Sequence, residues 1–208
     1  SDVCSSDLSS GIQIISGASA IAISTTVSGG GSQTVASGGM ASATSVSAGA
    51  NQIVLGGGVA SGTKISSGGS VLISSGARID SAIVSGGALY VSTGGSSYYT
   101  QVNEGGVEYI LAGGYGPSAT INNGGSQVIA FGGLDDGTVV NHGGVQYVSG
   151  IATSATLNGG AQIVSNGGIG ASTLILTGGA QKILTGASGI AGVLTGGSVE
   201  ASSGSYLS

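Results

Sequence analysis

The sequence repeats one motif about every nineteen residues, Gly-Gly-x-Gln-x-Val-x-x-Gly-Gly followed by Ala-x-x-Thr-x-Val. Residues 28–39 are one copy, and residues 122–133 are another. The second position of each opening Gly pair falls at Gly31, Ala50, Gly69, Gly87, Gly106, Gly125, Gly144, Gly160, Gly179 and Gly197. Six of the nine steps are nineteen residues long, and the others are eighteen, sixteen and eighteen. Such a period predicts a solenoid of stacked repeats, which favours extended surfaces over catalytic pockets.

Alternation within each repeat predicts β-strands. A column of pure Val and Ile lies two residues after the Gln position: Ile15, Val35, Val54, Ile73, Val91, Ile110, Ile129, Val148, Val164 and Ile183. The preceding column mixes Thr, Tyr and Lys with aliphatic residues, so we expect it to face outward, since successive strand residues face opposite ways. A second inward aliphatic column is Val27, Val46, Ile65, Ile83, Val102, Ile121, Val140, Leu157, Ile175 and Val193. Two residues before it we expect a further inward position, held by Thr25, Thr44, Thr63, Ser81, Thr100, Ala119, Thr138 and Thr173.

Glycine pairs occupy the predicted corners, because glycine reaches positive φ without a steric penalty. Asn103, Asn122, Asn123, Asn141 and Asn158 also fall at corners, as does Pro117. The Gln column shares parity with the inward valines and predicts a ladder of amides near a corner, each bonded to the next rung. Its members are Gln13, Gln33, Gln52, Gln127, Gln146, Gln162 and Gln181. Ten stacked rungs would form a rod of roughly 45–50 Å.

Charge is scarce: the chain has three basic and eight acidic residues, a net charge of −5, and 5% charged residues in all. Lys64, Arg78 and Lys182 are scattered, so they form no basic patch of the kind that nucleic-acid binding requires. No apolar run approaches the roughly 18–20 residues of a membrane-spanning helix. We therefore expect neither nucleic acid as a partner nor membrane insertion of this segment.

Residues 1–8 do not fit the repeat and match one reading frame of a common sequencing adapter. We therefore interpret residues 1–8 as an artefact and residues 9–208 as a single repeat domain. The only cysteine, Cys4, lies in the excluded segment, so we expect no disulfide in the repeat domain. We also expect the chain to be a fragment of a longer protein.

The repeat resembles the passenger repeats of AIDA-type, self-associating autotransporter adhesins of Gram-negative bacteria, over residues 10–204. The resemblance implies a right-handed parallel β-helix that is exported and displayed at the cell surface by an outer-membrane β-barrel. It implies cell–cell aggregation, biofilm formation or adhesion to host surfaces. The implied partners are other copies, a host glycan or surface receptor, and, as in some members, a heptosyltransferase that modifies Ser and Thr.

The acidic residues outside the N-terminal segment are Asp80, Glu104, Glu108, Asp135, Asp136 and Glu200. We interpret them as solvated corner residues that oppose edge aggregation, with weak calcium binding at Asp135–Asp136 as the alternative. His142 has no second His or Cys with which to form a metal site, and serines without a nearby base are not activated nucleophiles. We therefore predict neither a catalytic residue nor a cofactor.

Tyr90, Tyr109 and Tyr147 share one outward column and are the candidate interaction face. The other interpretation of this column is a row of exposed strand-forming residues. At the level of function, the alternatives are a passive stalk and a β-helix enzyme acting on polysaccharides, which would need charged residues converging at a broken rung. An ice-binding solenoid would need outward Thr ranks, whereas the Thr column here shares parity with the core.

Overall fold

The computed structural model describes residues 3–4, 7–190 and 192–207, with side chains described from residue 7 onward. Over these residues the chain forms short parallel strands on three faces, with no helix among them. The two continuous faces carry eleven strands each, so the protein is a parallel β-helix of eleven turns. This confirms the predicted fold class, with one turn more than the ten expected.

Each turn contributes a strand to each face, except for one turn that lacks a strand on the second face. The first face contains Ile12–Ile15, Ser32–Val35, Asn51–Val54, Ser70–Ile73, Ala88–Val91, Val107–Ile110, Ser126–Ile129, Val145–Val148, Ala161–Val164, Ala180–Ile183 and Ser198–Ala201. The second face contains Val3–Cys4, Ile21–Ile23, Met40–Ser42, Val59–Ser61, Arg78–Asp80 and Ser96–Tyr98, then Leu134–Asp136, Ile151–Thr153, Ile169–Ala171, Ser188–Ile190 and Tyr206–Leu207. The third face contains Asp7–Ser9, Thr26–Ser28, Ser45–Val46, Lys64–Ile65, Ile83–Val84, Gln101–Val102, Thr120–Ile121, Val139–Asn141, Thr156–Asn158, Leu174–Ile175 and Val193–Leu194.

The second face is interrupted where Tyr115 forms only single bridges to Ser96 and Leu134. Pro117 has no N–H group to donate to a ladder, so a three-residue strand cannot form there. Residues 7–9 pair with Thr26–Ser28, and Leu8 is partly buried against the core. Residues 1, 2, 5 and 6 lie outside the described residues, and the adapter origin of the segment stays a prediction.

The predicted core is confirmed for the first-face column, in which every member from Ile15 to Ile183 is at most 4% exposed. The second inward column, which lies on the third face, was predicted correctly except in two rungs. There Val84 and Leu194, rather than Ile83 and Val193, align with Ile65 and Ile175. For the same reason Ala82, not Ser81, is the buried residue two positions earlier. Both errors occur at eighteen-residue steps, because the missing residue lies in the corner after the column rather than before it.

The Gln ladder is confirmed, and it lies inside the core. From Gln33 onward, each Gln donates from Nε2 to the side-chain oxygen of the preceding rung over 2.6–3.0 Å. Thr44 and Thr63 donate to the Gln of their own rungs, Gln33 and Gln52. The second-face residue eight positions after the Gln is small, as in Ala41 and Ala60, which leaves room for the amide.

One rung has the opposite composition. Val71, Ile79 and Ala82 replace the Gln, Ala and Thr of the preceding rung, and all three are fully buried. The amide and its hydroxyl partner are therefore lost together, and the larger Ile79 fills the space. Because the amide and the Thr hydroxyl are both absent, neither is left unpaired in this rung. An unpaired buried polar group would destabilise the fold.

Candidate interaction surface and buried polar network

The predicted tyrosines belong to a longer apolar ridge on the first face. Parallel pairing places seven outward side chains in consecutive register. We call them the lateral ridge: Ile53, Leu72, Tyr90, Tyr109, Val128, Tyr147 and Ile163. With strands about 4.8 Å apart, six steps make the ridge about 29 Å long. The four aliphatic members complete the surface that the tyrosines alone indicated.

Tyr90 and Tyr109 are stacked, with ring centroids 4.9 Å apart and an interplanar angle of 5°. Tyr147 lies two rungs beyond Tyr109, separated from it by Val128, and is 41% exposed. Each ring of the stacked pair covers one face of the other. The pair therefore offers edges and hydroxyl groups to a partner more readily than open aromatic faces.

The ridge lies on a face without charge. The other outward column of the same seven rungs holds Asn51, Ser70, Ala88, Val107, Ser126, Val145 and Ala161. Lys182 is the first charged residue beyond Ile163 in the ridge column. An uncharged surface of this kind costs little to desolvate when a partner covers it.

A second aromatic cluster lies on the second face, and the sequence interpretation missed it. The Arg78 guanidinium lies 4.9 Å from the centre of the Tyr98 ring and donates from Nε to Asp80 over 2.7 Å. The Tyr115 ring packs edge to face against the Tyr98 ring, with centroids 6.2 Å apart. The centroid of the Tyr99 ring lies 6.5 Å from that of Tyr98. Arg78 and Tyr115 fall in one outward column of this face, and Asp80 and Tyr98 fall in the other. Aligning these two columns in the sequence would have revealed four of the five residues.

Two acidic residues contradict the prediction of solvated corners. Glu108 is fully buried and Asp135 is 2% exposed. Glu108 occupies the Gln position of its rung, and Asp135 occupies the small position eight residues after Gln127. Asp136, Glu104 and Glu200 are exposed, as predicted, but of the four remaining acids only Glu104 lies in a corner. Asp80, which is half-buried, Asp136 and Glu200 lie in strands. Since Asp135 faces the core and Asp136 faces solvent, the pair cannot bind one calcium ion together.

Amides and hydroxyls surround both buried carboxyl groups. Glu108 accepts from Ser97 Oγ at 2.7 Å and from Gln127 Nε2 at 3.0 Å. Asp135 accepts from Thr138 at 2.8 Å, from Gln146 at 2.9 Å and from Gln127 at 3.1 Å. Gln127 thus joins the two carboxyl groups, and no cation contacts either one among the described residues.

Burial raises the pKa of Asp135 to about 7, because the hydrogen bonds from Thr138 and the two glutamines only partly offset desolvation. Burial also raises the pKa of Glu108, against smaller opposing effects of Ser97 and Gln127. The network therefore favours the protonated acids and belongs to the core, not to a surface site.

Other chemistry has little support in the described part of the chain. No three His, Cys, Asp or Glu side chains lie close enough together there to hold a metal ion. No helix among those residues has the length and apolarity that a membrane crossing requires. The irregular sixteen-residue step forms a cleft of about 240 Å³ lined by Phe131, Gly132, Ser149, Gly150, Ile151, Gly167 and Ile169. This lining contains no acid or base for polysaccharide cleavage.

A regular rod with an uncharged lateral ridge and a core closed by ladders defines a structural, surface-forming protein rather than an enzyme. Known proteins agree with this class. The family described as adhesin of bacterial autotransporter system, probable stalk, matches residues 11–69. No curated protein shows a significant match to the chain.

Seven chains of solved structures are similar to this protein. One is the crystal structure of a TibC-catalysed, hyper-glycosylated TibA fragment spanning its residues 55–350. It superposes with a TM-score of 0.93 and 36% identity, covering 99% of this chain and 77% of the TibA fragment. The chain belongs to the AIDA-type autotransporter adhesins. It is a non-enzymatic adhesin passenger of the surface-exposed or secreted kind.

Proposed function

We propose that this passenger is displayed on the outer membrane and joins cells by self-association through the lateral ridge. The observation that carries the proposal is the unbroken run of seven apolar or aromatic side chains on an uncharged face. Tyr147 is exposed and the other six side chains are half-buried, so the ridge is a continuous, partly exposed apolar strip. Contiguous apolar surface marks interaction sites.

The order of residues along the ridge suits an antiparallel second copy. A two-fold axis at the Tyr109 rung would place Tyr90 opposite Val128 and Leu72 opposite Tyr147. Ile53 would lie opposite Ile163. Two-fold contacts use the same patch on both partners, so each patch must be complementary to itself. Rods that project from opposing cells meet in this antiparallel sense.

The ridge alone is too small for a stable dimer. A strip about 29 Å long and one strand wide is well below the roughly 800 Å² per partner that typical stable complexes bury. A weak contact becomes effective when many copies are displayed on each cell, since multivalent binding multiplies small affinities. Aggregation of this kind would also build biofilms.

Replacing Tyr90, Tyr109 and Tyr147 together by Thr, the residue at position 34 of the same column, tests the ridge. Cells that display the passenger on a generic autotransporter barrel should settle into clumps. The triple variant should clump on the order of tenfold less, because many weakened contacts are lost at once. Thr is a good strand former, so the rod should remain folded.

The control removes two exposed aromatic residues that lie outside the ridge. Phe131 is replaced by Ala, the residue at position 112 in the preceding rung, and Tyr206 by Ser, the residue that pairs with it at position 188. This control should clump like the parent. Equal clumping by the ridge variant would contradict the proposal. Dispersed cells for every version would favour the second candidate, a passive stalk, which the description of the matched family supports.

We also propose that a glycosyltransferase modifies the exposed corner serines, since the similar TibA fragment is hyper-glycosylated by TibC. Ser24, Ser81, Ser118, Ser154 and Ser172 hold the same left-handed corner in five of the rungs. Coexpression with TibC should add sugar masses, and replacing these five serines by Ala, which position 43 already carries, should remove most of them. Intact mass and peptide mapping make the test. Sugars found only at other positions would contradict this assignment.

A further inference from the structure

Tyr99 occupies a backbone position that otherwise holds small residues. Its φ is +56°, and the equivalent corners hold Ser24, Ala43, Gly62, Ser81, Ser118, Gly137, Ser154 and Ser172. A side chain in this left-handed region costs on the order of 1 kcal/mol, and bulky residues are uncommon there. The fold therefore does not require an aromatic residue at this corner. Strained residues of this kind concentrate at functional sites.

The Tyr99 side chain is 61% exposed. The corners one rung before and one rung after it carry Ser81 and Ser118, which are too small to stack on the ring. Its nearest aromatic neighbour, Tyr98, is tilted by 43° at 6.5 Å. Tyr99 thus presents an open ring face, unlike Tyr90 and Tyr109, which cover one another.

Arg78 supplies charge beside the adjacent Tyr98 ring. Its side chain is 55% exposed, and its one hydrogen bond runs from Nε to Asp80. The two terminal nitrogens of the guanidinium therefore make no hydrogen bond to a described residue. The pKa of Arg78 is raised, chiefly by Asp80, with smaller contributions from the phenols of Tyr98 and Tyr99. The Tyr98 ring packs against the guanidinium directly, and the Tyr99 ring lies 6.5 Å from the Tyr98 ring.

We propose that Arg78, Tyr98 and Tyr99 form a binding site for a carboxylate-bearing sugar. A guanidinium binds a carboxylate through two parallel N–H donors, and the terminal nitrogens provide that fork. The C–H face of a pyranose ring carries partial positive charge and packs on an aromatic face, whose centre is negative. The Tyr98 ring holds the guanidinium in place from below.

The charges of Arg78 and Asp80 determine how tightly the site should bind an anionic sugar. Asp80 neutralises much of the charge of Arg78 and repels an incoming anion, so a single site should bind weakly, with a Kd on the order of 1 mM. Display of many rods on one cell would convert this weak site into useful avidity for a glycan-coated surface. The site lies on the second face and is independent of the lateral ridge.

The test is titration of the folded protein with 3′-sialyllactose, with lactose as the neutral match, followed by NMR. The acidic trisaccharide should bind, and lactose should bind at least about tenfold more weakly. Arg78→Gln should reduce affinity by a similar factor, and Tyr99→Ser by about fivefold. Asp80→Asn should strengthen binding about threefold, since it removes the repelling charge and keeps an acceptor for Nε. Phe131→Ala removes another exposed aromatic and should leave the affinity unchanged.

Equal binding of lactose and 3′-sialyllactose would overturn the proposal, as would full affinity in Arg78→Gln. Weaker binding by Asp80→Asn would contradict the electrostatic argument. Circular dichroism of each variant separates loss of the site from loss of fold. Because the readout is binding by the isolated protein, failure here leaves the aggregation result unaffected.

Discussion

The protein should lose stability as pH rises from 5 to 8. The folded state holds the pKa of Asp135 at about 7, well above the ordinary value of 3.8, so it binds a proton that the unfolded chain releases. A carboxyl group whose pKa is higher in the folded state contributes stability that is fully present at pH values below its unfolded pKa. That contribution is lost as pH rises through the folded pKa. For these two pKa values the loss between pH 5 and pH 8 is about 3 kcal/mol.

Thermal unfolding measures this effect directly. A loss of about 3 kcal/mol corresponds to a Tm lower by about 6–12 °C in a chain of this size. Asp135→Asn should remove the contribution of Asp135 to this difference, because the amide resembles the protonated acid and does not titrate. Thr138 can accept from that amide by rotating its hydroxyl. Adding Glu108→Gln, which places the usual Gln in the ladder column, should remove the remaining dependence of the Tm on pH.

Two outcomes would count against this account of the core. One is a parent protein whose Tm is equal or higher at pH 8. The other is a double variant that keeps the full pH dependence, which would place the responsible group elsewhere. Exposed acids such as Glu104 and Glu200 are present in every version, so they act as an internal control.

Replacing Gln52 by Val should destabilise the rod by about 3–5 kcal/mol. Gln52 donates to Gln33 over 2.6 Å and accepts from Thr63 over 3.1 Å, and all three residues are fully buried. The variant leaves the Thr63 hydroxyl without its partner and opens a cavity. Both effects act in the same direction, and the Tm should fall by roughly 6–20 °C.

The next rung shows which further substitutions should restore the lost stability. Val71, Ile79 and Ala82 are an apolar version of the same layer, and they align with Gln52, Ala60 and Thr63. Adding Ala60→Ile and Thr63→Ala to Gln52→Val removes the orphaned hydroxyl and refills the space. Gln33 keeps its bond from Thr44. The triple variant should recover more than half of the lost Tm. A triple variant no more stable than Gln52→Val would refute the view that these three positions form one unit.

The sequence predicted what repeats and missed what departs from the repeat. The Val/Ile columns and the Gln ladder were predictable because strand parity and a constant period determine which side chains stack. Ile83 and Val193 were placed one residue out of register, since a short step does not reveal at which corner the residue is missing. Counting from both ends of the repeat would have placed Val84 beside Ile65.

The positions of Glu108 and Asp135 in the repeat indicated that they are buried, although acidic residues are normally expected at the surface. Glu108 lies two residues before Ile110, which is the Gln position, so parity alone places it in the core. Asp135 was misjudged because it follows a Gly pair, although Ala41 and Ala60 hold the same buried position. The exposed face of Tyr99 had no such signal, because a left-handed corner can be recognised only from the backbone.

The most direct test of self-association mixes two populations of cells that carry different fluorescent labels. Two populations that both display the parent passenger should form mixed clumps. When one displays Tyr90→Thr, Tyr109→Thr and Tyr147→Thr together, its cells should be left out of the clumps, because both partners must supply a lateral ridge. Variant cells that enter the clumps as often as parent cells would contradict the account.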